Sequence, residues 1–443
     1  MPANPTSLTT RSALLVLVSL YVSMLSGSGC SAAPCDRADS PLDEDPDRFI
    51  DDAAYRCGVL QRDLISTESS YAAQRFENYA LGDRRWDALP LRDPASRPLT
   101  SLDAQALNSG GQLTLNGTEI ALSPDLLPTT EQEWIDLGER VFYRYPVRAS
   151  PMYETAAQKV DLRDLGFLMR QDQLVGLVVF ADKRGRAQVG QTCAQCHASV
   201  DENRQISHVR SNRDMNIGAA RLVVSGVSLD DLPSEIDNTA HADLARLGPG
   251  RADVLDDNEF NPYAFPDFGG LRDMPLLHHN GNWTNTQLST LAMRCETLFI
   301  TANAERTRIP RPLAYAVAAF LYDAEPSQPV RVELDERTAH GEQVFAEQGC
   351  PACHTPPLYT SEQVIDVAVV GTDASAATSP DRYSGGYRVP SLRGVARLAP
   401  YLHDGRYHSL ESMFDPTRDG GHRFALAASH ADRADLLLFL QTL

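Results

Sequence analysis

The chain has 443 residues, more than one ordinary core needs and enough for two or three domains. Its 42% hydrophobic content is that of a globular protein, and 59 acidic against 40 basic residues leave a net charge of −19. That balance excludes the basic footprint of a nucleic-acid partner; it suits plain solubility, or docking to a basic protein.

The first segment reads TTRSALLVLVSLYVSMLSGSGC. Arg11 precedes an apolar run from Ala13 to Leu25, short of the roughly 20 residues a bilayer span takes, and small residues follow. Residues 1–30 therefore read as an export signal, which predicts a periplasmic protein. Cys30, directly behind the small residues, resembles the lipidated cysteine of bacterial lipoproteins and predicts a membrane tether. Gly27 stands where those signals usually carry Leu, so ordinary cleavage nearby is the alternative. Export brings the cysteines at 30, 35, 57, 193, 196, 295, 350 and 353 into oxidising conditions, where disulfides among Cys35, Cys57 and Cys295 are open.

Residues 31–46 are an acidic, Pro-containing tether. Apolar residues recur at helical spacing from Arg48 to about Leu81. The stretch ALPLRDPASRPLT reads as a connector. GGQLTLNGTEIALS alternates about an Asn-Gly pair and predicts a hairpin. Residues 31–130 form an N-terminal accessory region with no visible chemistry.

EQEWIDLGERVFY (131–143) predicts a helix, and GLVVFADKRGRAQVGQ predicts a hairpin about its KRGR. The next residues, QTCAQCHAS, set Cys193, Cys196 and His197 in a Cys-x-x-Cys-His motif. QGCPACHTP repeats it with Cys350, Cys353 and His354. With 8 cysteines and 11 histidines in the chain, two copies are not a chance outcome. This is the spacing of c-type haem attachment. Each sulfur adds to a haem vinyl group, two intervening residues span the distance between the vinyls, and the histidine turns under the ring to bind the iron. A Cys₄ zinc site would leave both histidines unexplained. A thioredoxin-like dithiol belongs near a βαβ pattern, which is not seen. Two covalently bound haem c groups are predicted, with His197 and His354 as iron ligands.

The surroundings repeat as well. Gly-Glu-x-Val-Phe occurs at Gly138 and Gly341. GGLRDMPLLHHNGNW (269–283) is similar to VPSLRGVARLAPYLHDGRY (389–407), matching Leu271-Arg272 with Leu392-Arg393 and His279-Asn280-Gly281 with His403-Asp404-Gly405. Both copies end in an apolar helical pattern, PLAYAVAAFLYDAE and ADLLLFLQTL. The predicted fold is mostly α: two tandem cytochrome c-type domains, 131–325 and 326–443, joined by the polar 322–336 segment.

On these motifs the chain resembles the bacterial di-haem cytochrome c peroxidase superfamily, which includes the methylamine-dehydrogenase maturation enzymes. GPGRADVLDD…LRDMPLLHHNGNW in the first domain is closer to the rubber-oxygenase branch. The resemblance covers roughly residues 131–443. It implies electron transfer, with a six-coordinate relay haem in the second domain and peroxidase-like chemistry at the first. The implied partners are a small redox protein or other electron donor and hydrogen peroxide or another small oxidant.

The departures lie at functional positions. The family's Trp-Asp-Gly is His279-Asn280-Gly281 here. Its Gln position falls on Ser289, and its catalytic Glu position on Phe299. Glu296 is the nearest carboxyl that could take over as acid–base group. The relay's usual Met or Tyr position falls on Thr417. Met413, about one helical turn earlier, is the favoured sixth ligand, with His422 and His408 as alternatives. Met215, His208 and His279 are candidates for the first iron. His403 and Arg393 are expected to order haem propionates.

Overall fold

The computed structural model describes residues 45–201, 205–330, 332–418 and 420–443, and helices joined by small antiparallel sheets make up most of its regular structure. No helix among these residues is long and apolar enough to cross a membrane. The apolar run at Ala13–Leu25, Cys30 and Cys35 lie outside the described residues.

The two Gly-Glu-x-Val-Phe copies are helix crossings. Thr130 and Glu133 form a reciprocal capping box at the start of helix Glu131–Arg144, which buries Trp134, Leu137, Val141 and Phe142. This helix crosses Arg311–Tyr322 at Gly138, where a Cβ would stand 2.0 Å from the Ala316 carbonyl oxygen and 2.7 Å from Phe320 Cβ. Glu336–Glu347 crosses His430–Thr442 in the same way: a Cβ on Gly341 would stand 2.0 Å from the Asp435 carbonyl oxygen and 2.9 Å from Phe439 Cβ. One sequence offset carries Ala316 to Asp435 and Phe320 to Phe439. The glycines are there because the backbones touch.

The second half of the repeat is held by turns. Gly270 and Gly394 are left-handed (φ 70° and 67°), and their N–H groups donate to Ala324 and Leu443, just past the two C-terminal helices. His278 and Leu402 share a positive φ (62° and 68°), as do Gly281 and Gly405 (both 64°). Leu277 pairs with Trp283, and Tyr401 with Tyr407. Gly270 therefore corresponds to Gly394, so the match of Leu271-Arg272 to Leu392-Arg393 is three residues out. The Leu-Arg pair recurs in sequence, but backbone contacts set the register.

The largest apolar core joins helices Glu131–Arg144, Leu288–Ala302 and Arg311–Tyr322 to Phe49, Tyr55, Val59, Leu60, Tyr71 and Tyr79. Residues 45–100 are thus built into the first half. Their helical pattern resolves into Pro46–Asp51, Ala53–Asp63 and Ser70–Asn78, each with an Asp or Ser N-cap. A second core lies under the hairpin Gln173–Ala181/Ala187–Gln191, and a third fills the second half around Val344, Phe345, Tyr401 and Leu436.

Two expectations are corrected. The Pro-rich connector contains a strand, Ser96–Thr100, on the edge of the five-stranded sheet, where Pro98 is tolerated. The 110–123 stretch is no hairpin. Its Asn-Gly turn is held by Glu119, which accepts from the N–H groups of Asn116 and Gly117. Leu115 stays exposed, and Ile120 bridges Ser96 instead of a partner within its own stretch.

Candidate functional site

Both Cys-x-x-Cys-His segments are short helical turns wedged against the structure before them. The first, Ala194–His197, packs on strand Gln173–Ala181 at Gly176 (φ 84°), where a Cβ would stand 2.2 Å from Gln195 Cα. Only glycine admits that approach. His197 Nδ1 lies 3.1 Å from the Pro266 carbonyl, and His354 Nδ1 lies 3.0 Å from the Tyr359 carbonyl, with Pro390 as a second acceptor. Pro266 and Pro390 are equivalent in the register set by Gly270 and Gly394. In each imidazole a backbone carbonyl engages Nδ1 and leaves Nε2 for a metal. Burial pushes the His197 imidazole down to about 4 and the Cys193 and Cys196 thiols up to about 12.

What faces each histidine differs. The His422 ring centre lies 6.3 Å from that of His354. A metal–imidazole bond of about 2 Å on each side, plus about 1 Å from nitrogen to ring centre, sums to about 6 Å, so the pair fits two axial ligands of one iron. His422 is left-handed (φ 59°) and wedged between Phe414 and Phe424, and its Nδ1 has no partner. Arg418 holds the loop, donating to the carbonyls of His422 (2.7 Å), Gly421 (2.8 Å) and Met413, and to the Tyr407 hydroxyl (2.8 Å). Met413, favoured from sequence, is a buried member of the third core beside Leu410 and Phe414. His408 is exposed, and Thr417 bonds Asp415. Among the described residues the ring contacts of His197 come from Phe268 (4.2 Å) and Phe265 (6.4 Å), with no second imidazole.

The other candidates for the first iron are engaged elsewhere. Met215 is fully buried in the second core, and Tyr143 hydroxyl bonds His208 Nδ1 at 2.7 Å. His279 Nε2 lies 3.1 Å from the Ala264 carbonyl and stacks on Tyr263. Its counterpart His403 stacks on Tyr387 with ring centres 4.0 Å apart, its Nε2 3.1 Å from the Tyr387 hydroxyl. Ala264 N–H donates to the His403 carbonyl, so the two equivalent histidines meet at one seam. Arg393 pairs with Asp273 across the halves at 3.1 Å and is over a third exposed.

Glu296 is fully buried, but not beside the thiols. Tyr79 hydroxyl donates to Oε2 at 2.5 Å, Arg311 Nε lies 3.2 Å from Oε1, and Arg308 lies 3.5 Å from Oε1. Arg311 also pairs with Asp87, which pairs with Arg56. Two residues back, about 200° around the helix, Arg294 faces the other way. Its Nε donates to His278 Nε2 at 3.0 Å, and its charge reaches His197 and Cys193. Ser289 accepts from Tyr55, and Phe299 packs edge-on against Tyr145. Cys57 and Cys295 are both buried, and no disulfide joins the two. Sequence reasoning missed Arg294 and Arg418, which no motif marks.

Two matched helix crossings, two equivalent Cys-x-x-Cys-His turns and paired carbonyl-anchored imidazoles define a mostly helical, internally duplicated chain whose donor sets fit haem. No family model matches the chain. A 110-residue stretch is 33% identical to the methylamine utilization protein MauG of Methylorubrum extorquens, taking in 21% of this chain and 31% of MauG. The chain thus matches about a third of the length of that relative. The match supports the resemblance to the bacterial di-haem peroxidase and MauG superfamily. Among solved structures, hydrazine synthase of Kuenenia stuttgartiensis aligns with a TM-score of 0.37 at 15% identity, over 75% of this chain and 98% of that one. The diheme peroxidase BthA of Burkholderia thailandensis aligns with a TM-score of 0.36 at 17% identity, over 80% and 94%. At these TM-scores the alignments carry no argument of their own.

Proposed function

We propose that the chain is an exported di-haem c-type cytochrome with two tandem haem domains, 131–325 and 326–443. One haem is linked to Cys193 and Cys196 with His197 as axial ligand, and the other to Cys350 and Cys353 with His354 and His422. The second is the electron relay. The first carries peroxidase-like chemistry on hydrogen peroxide or another small oxidant. The observation that carries this reading is the asymmetry: an imidazole stands opposite His354, whereas among the described residues the rings in contact with His197 are those of two phenylalanines.

A haem held by these residues would supply one-electron chemistry and a place for a small ligand. The chain's own residues do the rest. The Pro266 and Tyr359 carbonyls fix the imidazoles, Arg418 holds the His422 loop in place, and Phe268 shields His197 from water. A small redox protein is the electron donor, and the acidic surface suits a basic one. Cys30 is the point of membrane attachment.

Carbon monoxide tests the assignment. The reduced protein is expected to bind it at one haem only and to turn over peroxide slowly with a reduced donor. A second reading, a non-enzymatic membrane-tethered carrier, draws on the engagement of Glu296 by Tyr79, Arg308 and Arg311, which takes up the carboxyl considered for O–O cleavage. Two haems six-coordinate in every redox state, with no ligand binding, would establish the carrier and end the enzymatic reading.

A further inference from the structure

Helix Ser70–Asn78, from the region where sequence gives no chemistry, places Tyr71 and Arg75 in a polar cluster whose charges do not balance. Arg75 is 4% exposed, with its guanidinium 3.2 Å from the Tyr71 ring centre; Arg382 covers the same ring at 5.3 Å. Trp283 Nε1 donates to the Tyr71 hydroxyl at 3.1 Å. Arg294 and His278 complete the group. Among the described residues Arg75 and Arg294 form no ion pair, and Arg382 has only Asp381, at 3.7 Å. Arg75 Nε, Arg382 Nε and His278 Nδ1 have no hydrogen-bond partner.

Arginine does not shed its proton, and a buried charge persists only when paired. Three guanidinium groups against one carboxylate leave room for two more negative charges, as many as one haem carries on its propionates. Two observations put the cluster on the wall of the first site. Cys193 packs against the apolar core that also holds Tyr71 and Trp283. His278 occupies the position of Leu402, and Leu402 packs against the core that also holds Cys350.

We infer that Arg75, Arg294 and Arg382 form a clamp for carboxylates at the first site, so that the N-terminal region completes that pocket. The inference rests on the reading that a haem is held by Cys193, Cys196 and His197. The carboxylates come from that haem's propionates or from a free organic acid bound beside it.

The test uses the full chain matured in a c-type haem-assembly host. Intact mass and the pyridine haemochrome count haems in wild type, Arg75→Gln, Arg382→Gln and Arg75→Lys. The thioethers do not depend on the clamp, so two haems are expected in each. Reductive titration should then show one midpoint potential lowered in both Gln variants, because a lost cation favours the ferric state. The other midpoint should not move, and Arg75→Lys should recover most of the shift. Arg382→Gln gives the same reading from outside the N-terminal region, should Arg75→Gln fail to fold. With haem labelled at the propionates, a moved infrared carboxylate band assigns the clamp to propionate. Saturable perturbation of one haem spectrum by acetate or benzoate, lost in Arg75→Gln, assigns it to a free acid. Two haems with unchanged midpoints, an unchanged carboxylate band and no saturable acid binding would overturn the clamp. If no haem is attached, the haem reading fails, and calorimetric titration with acetate or benzoate decides the clamp: saturable binding lost in Arg75→Gln keeps it, and no binding overturns it.

Discussion

Glu296→Gln separates two roles for the carboxyl nearest Phe299, where the resemblance places the catalytic acid. In the structure Glu296 is a fully buried counter-ion: Tyr79, Arg308 and Arg311 all address it. Glutamine keeps the volume and an acceptor for Tyr79 but removes the charge. Arg311 would then retain only Asp87, at 3.0 Å, and Arg308 would lose its carboxylate. Breaking a buried ion pair by removing one partner costs about 3–5 kcal/mol. The retained Tyr79 hydrogen bond puts the expected loss near about 3 kcal/mol. Chemical denaturation followed by far-UV circular dichroism measures it. Peroxide turnover per folded molecule should stay close to wild type, because general acid–base help is worth about 10²–10⁴ in rate and Glu296 points away from the thiols. An unchanged denaturation midpoint with turnover down by about 10² or more would refute this and make Glu296 the acid.

His422 and Met413 give a paired test. His422→Ala should convert one haem to a ligand-binding form visible by electron paramagnetic resonance, whereas Met413→Ala should leave the ligation spectrum alone and cost about 2–5 kcal/mol as a core truncation; the opposite pattern would restore Met413 as ligand. Gly341→Ala should destabilise the second half, since its Cβ would meet the Asp435 carbonyl oxygen at 2.0 Å, and a wild-type melting curve would show the crossing to be looser. Burial pushes His403 down to about 4, so its neutral form is the folded one. Its contribution is complete above the unfolded value of about 6.5 and is lost as pH falls towards 4. The wild-type denaturation midpoint should decline across that window, and the decline should be shallower in His403→Gln.

Much of this architecture is legible in the sequence. The two Cys-x-x-Cys-His motifs, the capped 131–144 helix, the 173–191 hairpin and the paired C-terminal helices all follow from spacing and periodicity. What sequence misses depends on contacts between distant residues. Arg75 reads as one charge on a helical face until Ser70–Asn78 lies beside Arg382 and Trp283. Met413 precedes His422 in sequence, but the choice between them turns on a left-handed loop gathered by Arg418, for which there is no one-dimensional signal. Glu296 and Arg294 are two residues apart and look equally available. The helix sends one to the ion network and the other to the thiols.

The duplication explains why the two sites differ. Both halves share the helix crossing, the proline carbonyl under the proximal histidine, and the turn from Gly270 or Gly394 to Trp283 or Tyr407. They diverge directly afterwards. The first half continues into the helix Leu288–Ala302. The second stops after Leu410–Met413 and loops back to set His422 opposite His354. A continuous helix has no free backbone to deliver a side chain across the pocket in that way. The first site is therefore followed by a continuous helix, and the second is closed by its own loop. Grafting a loop that carries a histidine in place of residues 288–302 should abolish carbon monoxide binding, because the added imidazole would fill the position the helix leaves free. Persistent binding, with an added histidine coordinated elsewhere, would show that something other than the helix keeps the first site open.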